Sequence, residues 1–75
     1  MRLRELDSVV LERDLPKHGL RKGDLGAVVN VHKGGTVDVE FVRASGHTVA
    51  LLELSVADLR KASRRDIVAS RPVDN

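Results

Sequence analysis

The sequence contains no cysteine, no tryptophan and no tyrosine, and Phe41 is its single aromatic residue. Without cysteine, the chain can form neither a disulfide framework nor a thiolate metal site. Small β-barrels that bind single-stranded nucleic acid stack the bases on exposed aromatic side chains. One aromatic residue is too few for such a surface, so the composition disfavours this mode of nucleic-acid binding.

Long apolar runs are also missing from the sequence. No stretch approaches the roughly 20 apolar residues of a membrane-spanning helix, and residues 1–5 lack the apolar run of a signal peptide. We therefore expect a soluble, cytoplasmic protein that has no membrane partner. A chain of 75 residues is long enough for one domain. We expect this domain to span residues 1–75, with its core at about 6–71 and a frayed end at 72–75.

The net charge of +2 conceals an uneven distribution. Residues 1–58 carry eight Lys or Arg against nine Asp or Glu, whereas residues 59–75 carry five against two. The basic character therefore lies in the C-terminal segment. A protein that binds phosphates irrespective of sequence usually spreads its cations over a folded face, so this distribution argues only weakly for nucleic acid.

Short apolar segments alternate with turn signals, a pattern that predicts an all-β domain with the form of a small barrel or sandwich. The segment from Arg13 to Asp24 is polar and is the longest irregular stretch, which makes it the natural place for a functional loop. Strands are expected at 8–12, 26–32, 36–42, 48–54 and 67–70, with a short helical turn at 55–58.

The central hairpins have a register that separates apolar from charged side chains. A two-residue loop at 34–35 would place Val31 opposite Asp38, whereas a three-residue loop at 33–35 places Val31 opposite Val37. A two-residue loop at 45–46 then pairs Phe41 with Ala50. The predicted core face consists of Ala27, Val29, Val31, Val37, Val39, Phe41, Ala50, Leu52 and Leu54.

The opposite face of these strands mixes carboxylates with aliphatic side chains. In the predicted register, Asp38 lies across from Glu53, and Glu40 lies beside Leu51. Such a strip can receive a basic partner, or it can be an ordinary solvated face with Val49 and Leu51 folded into the second sheet of a barrel. The full predicted set is Val28, Asn30, Asp38, Glu40, Val42, Val49, Leu51 and Glu53.

No arrangement of residues in the sequence indicates catalysis. His18, His32 and His47 lie in three different loops or strand ends, and none has a second histidine or a carboxylate at metal-ligand spacing. The serines have no nucleophile-elbow context, and the glycines do not lie between a strand and a helix as in a dinucleotide-binding turn. We expect a protein that is not an enzyme and that uses no cofactor and no metal.

Three segments together resemble the bacterial family catalogued as domain of unknown function 4926. They are DLPKHGLRKGDLGAVV at 14–29, VEFV at 39–42 and ALLEL at 50–54. The resemblance covers about residues 6–60, and residues 65–71 are similar to an extension that many members carry. It implies a five-stranded SH3-like barrel, the fold that we expect here. It also implies a protein partner, because members are often encoded beside a small protein that looks like a ribonuclease toxin.

By that analogy, the chain is an antitoxin or immunity-like protein that binds and neutralises a small basic partner. A strip of carboxylates can imitate the phosphate backbone that a ribonuclease binds, through complementary charge. The candidate partner-binding residues are Asp38, Glu40, Leu51 and Glu53, with His18, Arg21 and Lys22 of the long loop as a second set.

Two alternatives remain open at this point. The stretch KGDLGAVV at 22–29 is similar to KOW motifs of ribosomal and transcription factors, a likeness that covers about residues 20–42. It implies binding to RNA or to the ribosome that depends on Arg21, Lys22 and Lys33. The other alternative is a homo-oligomer formed through exposed sheet edges.

Overall fold

The computed structural model describes residues 2–42 and 47–69, and they form a small all-β fold with one short helix. The predicted fold class is confirmed: five antiparallel strands form one sheet, and a short helical turn precedes the last strand. The loop predicted at 45–46 and the end predicted to fray at 72–75 lie outside the described residues. The strands are β1 (Ser8–Leu11), β2 (Leu25–Val31), β3 (Thr36–Val42), β4 (Thr48–Ser55) and β5 (Leu59–Lys61).

The strands follow the order β4–β3–β2–β1–β5 across the sheet. Within the described ranges, β4 and β5 are the two edges and do not pair with each other, so the sheet is open. The turn between them, Val56–Asp58, begins where the Ser55 hydroxyl accepts a hydrogen bond from the Ala57 amide at 3.2 Å. A serine in this capping position satisfies an amide that the first turn leaves unpaired.

The register of β3 against β4 is the predicted one from Val37 to Phe41, and a shift after Phe41 pairs Val42 with Thr48. Val37, Val39 and Phe41 pair with Leu54, Leu52 and Ala50, and the pairs between them join Asp38 to Glu53 and Glu40 to Leu51. The three-residue loop at 33–35 is also confirmed, because the His32 amide donates to the Thr36 carbonyl at 3.0 Å. Gly34 and Gly35 have φ values of 94° and 89°, which few other residues adopt.

The predicted register of β2 against β3 was correct at Asn30 and Val31 but wrong for the residues before Asn30. The reason is a bulge in β2 between Val28 and Asn30. The extra residue moves Val28 opposite Val39, where it is fully buried, and leaves Val29 38% exposed. A bulge of this kind inverts the alternation of side chains on one side of itself. Val31 pairs with Val37 as predicted, yet it is 44% exposed at the end of the strand.

The core receives side chains from four strands and from two segments outside the sheet. Leu3 precedes β1, and Leu20 comes from the long loop; both are buried. Phe41 has no exposed surface and is the largest of the fully buried side chains. The buried apolar set is Leu3, Val9, Val10, Leu11, Leu20, Val28, Val37, Val39, Phe41 and Leu59.

The fifth strand lies at Leu59–Lys61 and not at 67–70 as predicted. Leu59 is buried opposite Leu11, whereas residues 64–69 form a helix, α1 (Arg64–Ala69). The helix begins with a reciprocal cap: the Ser63 amide donates to Asp66 at 2.8 Å, and the Asp66 amide donates to the Ser63 hydroxyl at 3.3 Å. This signal at 63–66 outweighs the apolar run that suggested a strand. No helix in the described part of the chain is long and apolar enough to cross a membrane.

Arg60 of β5 attaches α1 to the sheet. Its guanidinium donates to both carboxylate oxygens of Asp66, at 2.6 and 2.7 Å, and to Glu12 at 3.1 Å. The hydrogen bonds from Arg60 and Ser63 hold the pKa of Asp66 far below its ordinary value of 3.8. A carboxyl group with a depressed pKa stabilises the fold only while it is ionised.

Replacing Asp66 with asparagine should therefore release α1 from β5 and leave the sheet intact. NMR backbone shifts should lose most of the helical signal of residues 64–69. The extra stability of the natural protein over this variant should be complete above about pH 5, where the unfolded carboxyl is almost fully ionised, and should shrink as the pH falls toward and through the folded pKa. Glu5→Gln, which alters an exposed carboxylate outside this cluster, should change neither the helical NMR signal nor the pH dependence of stability. An unchanged helical signal in Asp66→Asn would contradict the assigned role.

Candidate functional site

The outer strip consists of Asp38 and Glu40 on β3 and Leu51 and Glu53 on β4. The sheet pairing brings all four together, with Asp38 directly opposite Glu53 and Glu40 directly opposite Leu51. Side chains in such cross-strand positions are about 4.5–5.5 Å apart at Cβ. The predicted first set of contact residues is therefore one continuous patch on the face opposite the core.

Leu51 distinguishes this patch from an ordinary polar face. Its side chain is 59% exposed, so the alternative in which Leu51 folds into a second layer does not describe this protein. Val49, in contrast, is partly buried and packs against the core. Val29 and Val42 are also exposed, and Val29 is adjacent to Asn30, the partner of Asp38. The outer strip thus presents a large aliphatic side chain among carboxylates.

Each carboxylate of the outer strip has a neighbour that orients it. The Thr36 hydroxyl donates to Glu53 at 2.7 Å, and the Thr48 hydroxyl donates to Glu40 at 3.0 Å. His32 Nε2 lies 3.0 Å from Asp38 Oδ1. These contacts lie on the surface, so the carboxylates are oriented but still accessible to another molecule.

His32 is the functional candidate that the sequence analysis missed. The hairpin places it opposite Thr36, one outward-facing position from Asp38, so its ring reaches the outer strip diagonally. The ligand atoms of His32, Asp38 and Glu53 all lie within 4.8 Å of one another, which contradicts the expectation that no histidine has carboxylates at metal-ligand spacing. The predicted register of this hairpin contained the signal, because it already placed residues 32 and 38 on the same face.

Electrostatics link His32 to the two carboxylates. The close contact with Asp38 raises the pKa of His32 above its ordinary value of 6.5, desolvation opposes this shift, and the charge of Glu53 adds to it. Asp38 and Glu53 are like charges in directly opposed positions, an arrangement that is unfavourable without a nearby cation. A protonated His32 supplies part of that compensation.

The second predicted set lies on the connection between β1 and β2, away from β3 and β4 in the chain. His18 ends the short turn Pro16–His18, and Arg21 and Lys22 follow Leu20, which anchors the loop in the core. The Arg21 amide donates to the buried Asp24 carboxylate, and the Lys22 amide donates to Asp14. The three predicted side chains are exposed, so this well-ordered loop presents cations but does not contribute to the outer strip.

The outer strip combines negative charge with one exposed aliphatic side chain. The four residues include three acceptors of hydrogen bonds and one aliphatic side chain, and no nucleophilic hydroxyl or amine belongs to the set. Such a surface attracts cationic groups through charge and offers an apolar contact to exclude water. A basic protein surface fits this description.

A family model described as "Domain of unknown function (DUF4926)" matches residues 5–61, well over half of the chain. The chain belongs to the DUF4926 family. The match ends at Lys61, the last residue of β5, so the family unit of this DUF4926 domain is the five-stranded sheet and α1 follows it. No curated protein and no solved structure matches the sequence. What this DUF4926 domain binds must therefore be argued from its own surface.

Proposed function

We propose that this DUF4926 domain is a protein-binding module of the antitoxin or immunity type, which binds and neutralises a small basic, ribonuclease-like partner through the outer strip. The proposal rests chiefly on the exposure of Leu51 within a row of carboxylates. A large aliphatic side chain at the surface is ordinary when it stands alone. Here the side chain lies among oriented charges of one sign. It forms the apolar centre of a binding site, and the carboxylates form the polar rim.

Charge complementarity suggests the chemistry of the partner. Asp38, Glu40 and Glu53 form an acidic patch on two neighbouring strands, although the whole chain carries a net charge of +2. A ribonuclease presents cations that bind the phosphates of its substrate. A patch of carboxylates can occupy those cations, and the opposite charges also accelerate association. Occupation of the substrate site explains neutralisation without any chemical step.

The acidic strip disfavours RNA as the ligand of this face, because carboxylates repel phosphates. RNA binding would have to use Arg21, Lys22 and Lys33, the cations on which the KOW-like alternative depends. An RNA-binding measurement on the purified chain tests this alternative. Fluorescence anisotropy with a single-stranded RNA oligonucleotide at low salt should show no binding, and binding that weakens in Arg21→Ala with Lys22→Ala would favour the RNA-binding function instead.

Replacing Glu53 with lysine should weaken binding to the product of the adjacent reading frame by about tenfold or more, or about 1.4 kcal/mol. The substitution reverses a charge of the outer strip and places a cation against a basic surface. Isothermal titration of the two purified proteins gives the dissociation constant. A ribonuclease assay of the partner should show that the natural chain inhibits at one equivalent and that Glu53→Lys inhibits less.

Glu5→Lys is the matched control, because it makes the same change in charge at an exposed position before β1. It should bind and inhibit as well as the natural chain does. Circular dichroism should show that both variants keep the folded spectrum. Equal weakening by the two substitutions would mean that total charge, and not the outer strip, determines binding. Full affinity in Glu53→Lys would remove the strip as the interface.

A further inference from the structure

Three potential metal ligands converge at one end of the outer strip. His32 follows β2, Asp38 belongs to β3 and Glu53 belongs to β4, and the pairing of the three strands brings their ligand atoms within 4.8 Å of one another. Asp38 follows His32 by 6 residues in the chain, and Glu53 follows it by 21. The sheet positions all three, because the His32 amide bonds to the Thr36 carbonyl of β3 and Asp38 pairs with Glu53.

The imidazole nitrogen that faces the carboxylates lacks an aligned hydrogen bond. Among residues 2–42 and 47–69, His32 Nε2 is the one buried side-chain nitrogen or oxygen atom without a hydrogen-bond partner. It lies 3.0 Å from Asp38 Oδ1, a distance that makes an ion-pair contact. The nitrogen itself is shielded from solvent and its contact with Asp38 is electrostatic, while 36% of the His32 side chain stays exposed. A bound ion would accept the lone pair of this nitrogen.

We propose that His32, Asp38 and Glu53 bind a divalent metal ion of the Zn²⁺ class. Histidine nitrogen and carboxylate oxygen are both zinc ligands, and zinc sites with three protein ligands leave a fourth position for water or another molecule. An ion with bonds of about 2.0–2.2 Å needs ligand atoms about 3.3 Å apart in tetrahedral geometry. The His32–Asp38 contact already has nearly this spacing, and the exposed Glu53 side chain can move closer.

The ion would also remove an unfavourable feature of the sheet. Asp38 and Glu53 place two negative charges in directly opposed positions, and a divalent cation between them converts repulsion into attraction. Mg²⁺ fits less well, because it prefers oxygen ligands and keeps several waters in an octahedral shell. The imidazole of His32 therefore favours Zn²⁺ over Mg²⁺.

This inference goes beyond the proposed function, although both involve Asp38 and Glu53. His32→Asn keeps both carboxylates and removes the imidazole ligand. Metal binding can therefore fail while partner binding persists, and the reverse can also be observed. The metal experiment uses the untagged full chain and Zn²⁺ alone.

Isothermal titration of the natural chain with Zn²⁺ at about pH 8, where histidine ligates in its neutral form, should show one ion bound per chain. The ion should also raise the unfolding temperature, because it binds the folded state only. His32→Asn, Asp38→Asn and Glu53→Gln should each weaken the affinity by at least about tenfold, since even loss of a supporting residue costs that much. Mg²⁺ at the same concentration should give no shift in the unfolding temperature.

His18→Asn and Glu40→Gln are the matched controls, one an exposed histidine on the long loop and the other a neighbouring carboxylate of the strip. Both should bind Zn²⁺ as tightly as the natural chain. Equal affinity in His32→Asn and the natural chain would overturn the proposal. So would the absence of binding by the natural chain at about 0.1 mM Zn²⁺, or an equal loss of affinity in the controls.

Discussion

Replacing Phe41 with alanine should lower the free energy of unfolding by about 3–5 kcal/mol. Phe41 is fully buried and is the largest side chain of the core, so the substitution removes apolar contacts and leaves a cavity that the rigid sheet cannot fill. A domain of this size has a total stability of roughly 4–11 kcal/mol. The variant should thus be marginally folded at room temperature.

Urea denaturation followed by circular dichroism measures this loss, since the chain has no tryptophan or tyrosine for fluorescence. Leu51→Ala is the control: it also shortens an apolar side chain of the sheet, but at an exposed position. It should change stability by less than about 0.5 kcal/mol. A loss below about 1 kcal/mol in Phe41→Ala would mean that Phe41 does not organise the core.

Replacing Gly26 with alanine should cost about 1–3 kcal/mol through overpacking. A Cβ atom at Gly26 would lie 2.6 Å from Val39 Cγ1 and 2.9 Å from Phe41 Cε1, both in side chains that are fully buried. The backbone of Gly26 is not in the left-handed region, so its conformation does not explain the glycine. The absence of a side chain is required by the close approach of β2 to the core residues of β3.

A double-mutant cycle separates this packing effect from a general weakening of β2. Val39→Ala removes the methyl group nearest to the added Cβ atom, so Gly26→Ala should cost less in that background than in the natural chain. The coupling between the two sites should be about 0.5–3 kcal/mol. Strict additivity would contradict the steric explanation.

The sequence pattern was sufficient for most of the β3–β4 pairing because β3 alternates apolar and polar residues from Val37 to Phe41. A two-residue loop then placed Val37, Val39 and Phe41 on the same face as Leu52 and Leu54, and the outer strip followed from that pairing. The bulge in β2 could not be predicted from alternation, because Ala27, Val28 and Val29 are all apolar and either phase gives an acceptable face. Packing against β3 selects Val28, which is fully buried.

The last strand and the histidine were missed for different reasons. β5 has one apolar residue, Leu59, and three residues are too short for an alternating pattern to appear. The more apolar residues 67–69 belong instead to a helix whose cap, formed by Ser63 and Asp66, was present in the sequence. Spacing along the chain does not indicate a site at His32, because the hairpin and not the local sequence places its ring beside Asp38.

The position of β4 at the edge of the sheet affects any molecule that reaches Leu51 and Glu53. Within the described ranges, one side of this strand pairs with β3 and the other side has no strand beside it. A binding partner that covers the two side chains therefore also contacts main-chain amides and carbonyls. A strand of the partner can pair with these groups and extend the sheet. Recognition at β4 can combine side-chain selectivity with backbone hydrogen bonding that any polypeptide can provide.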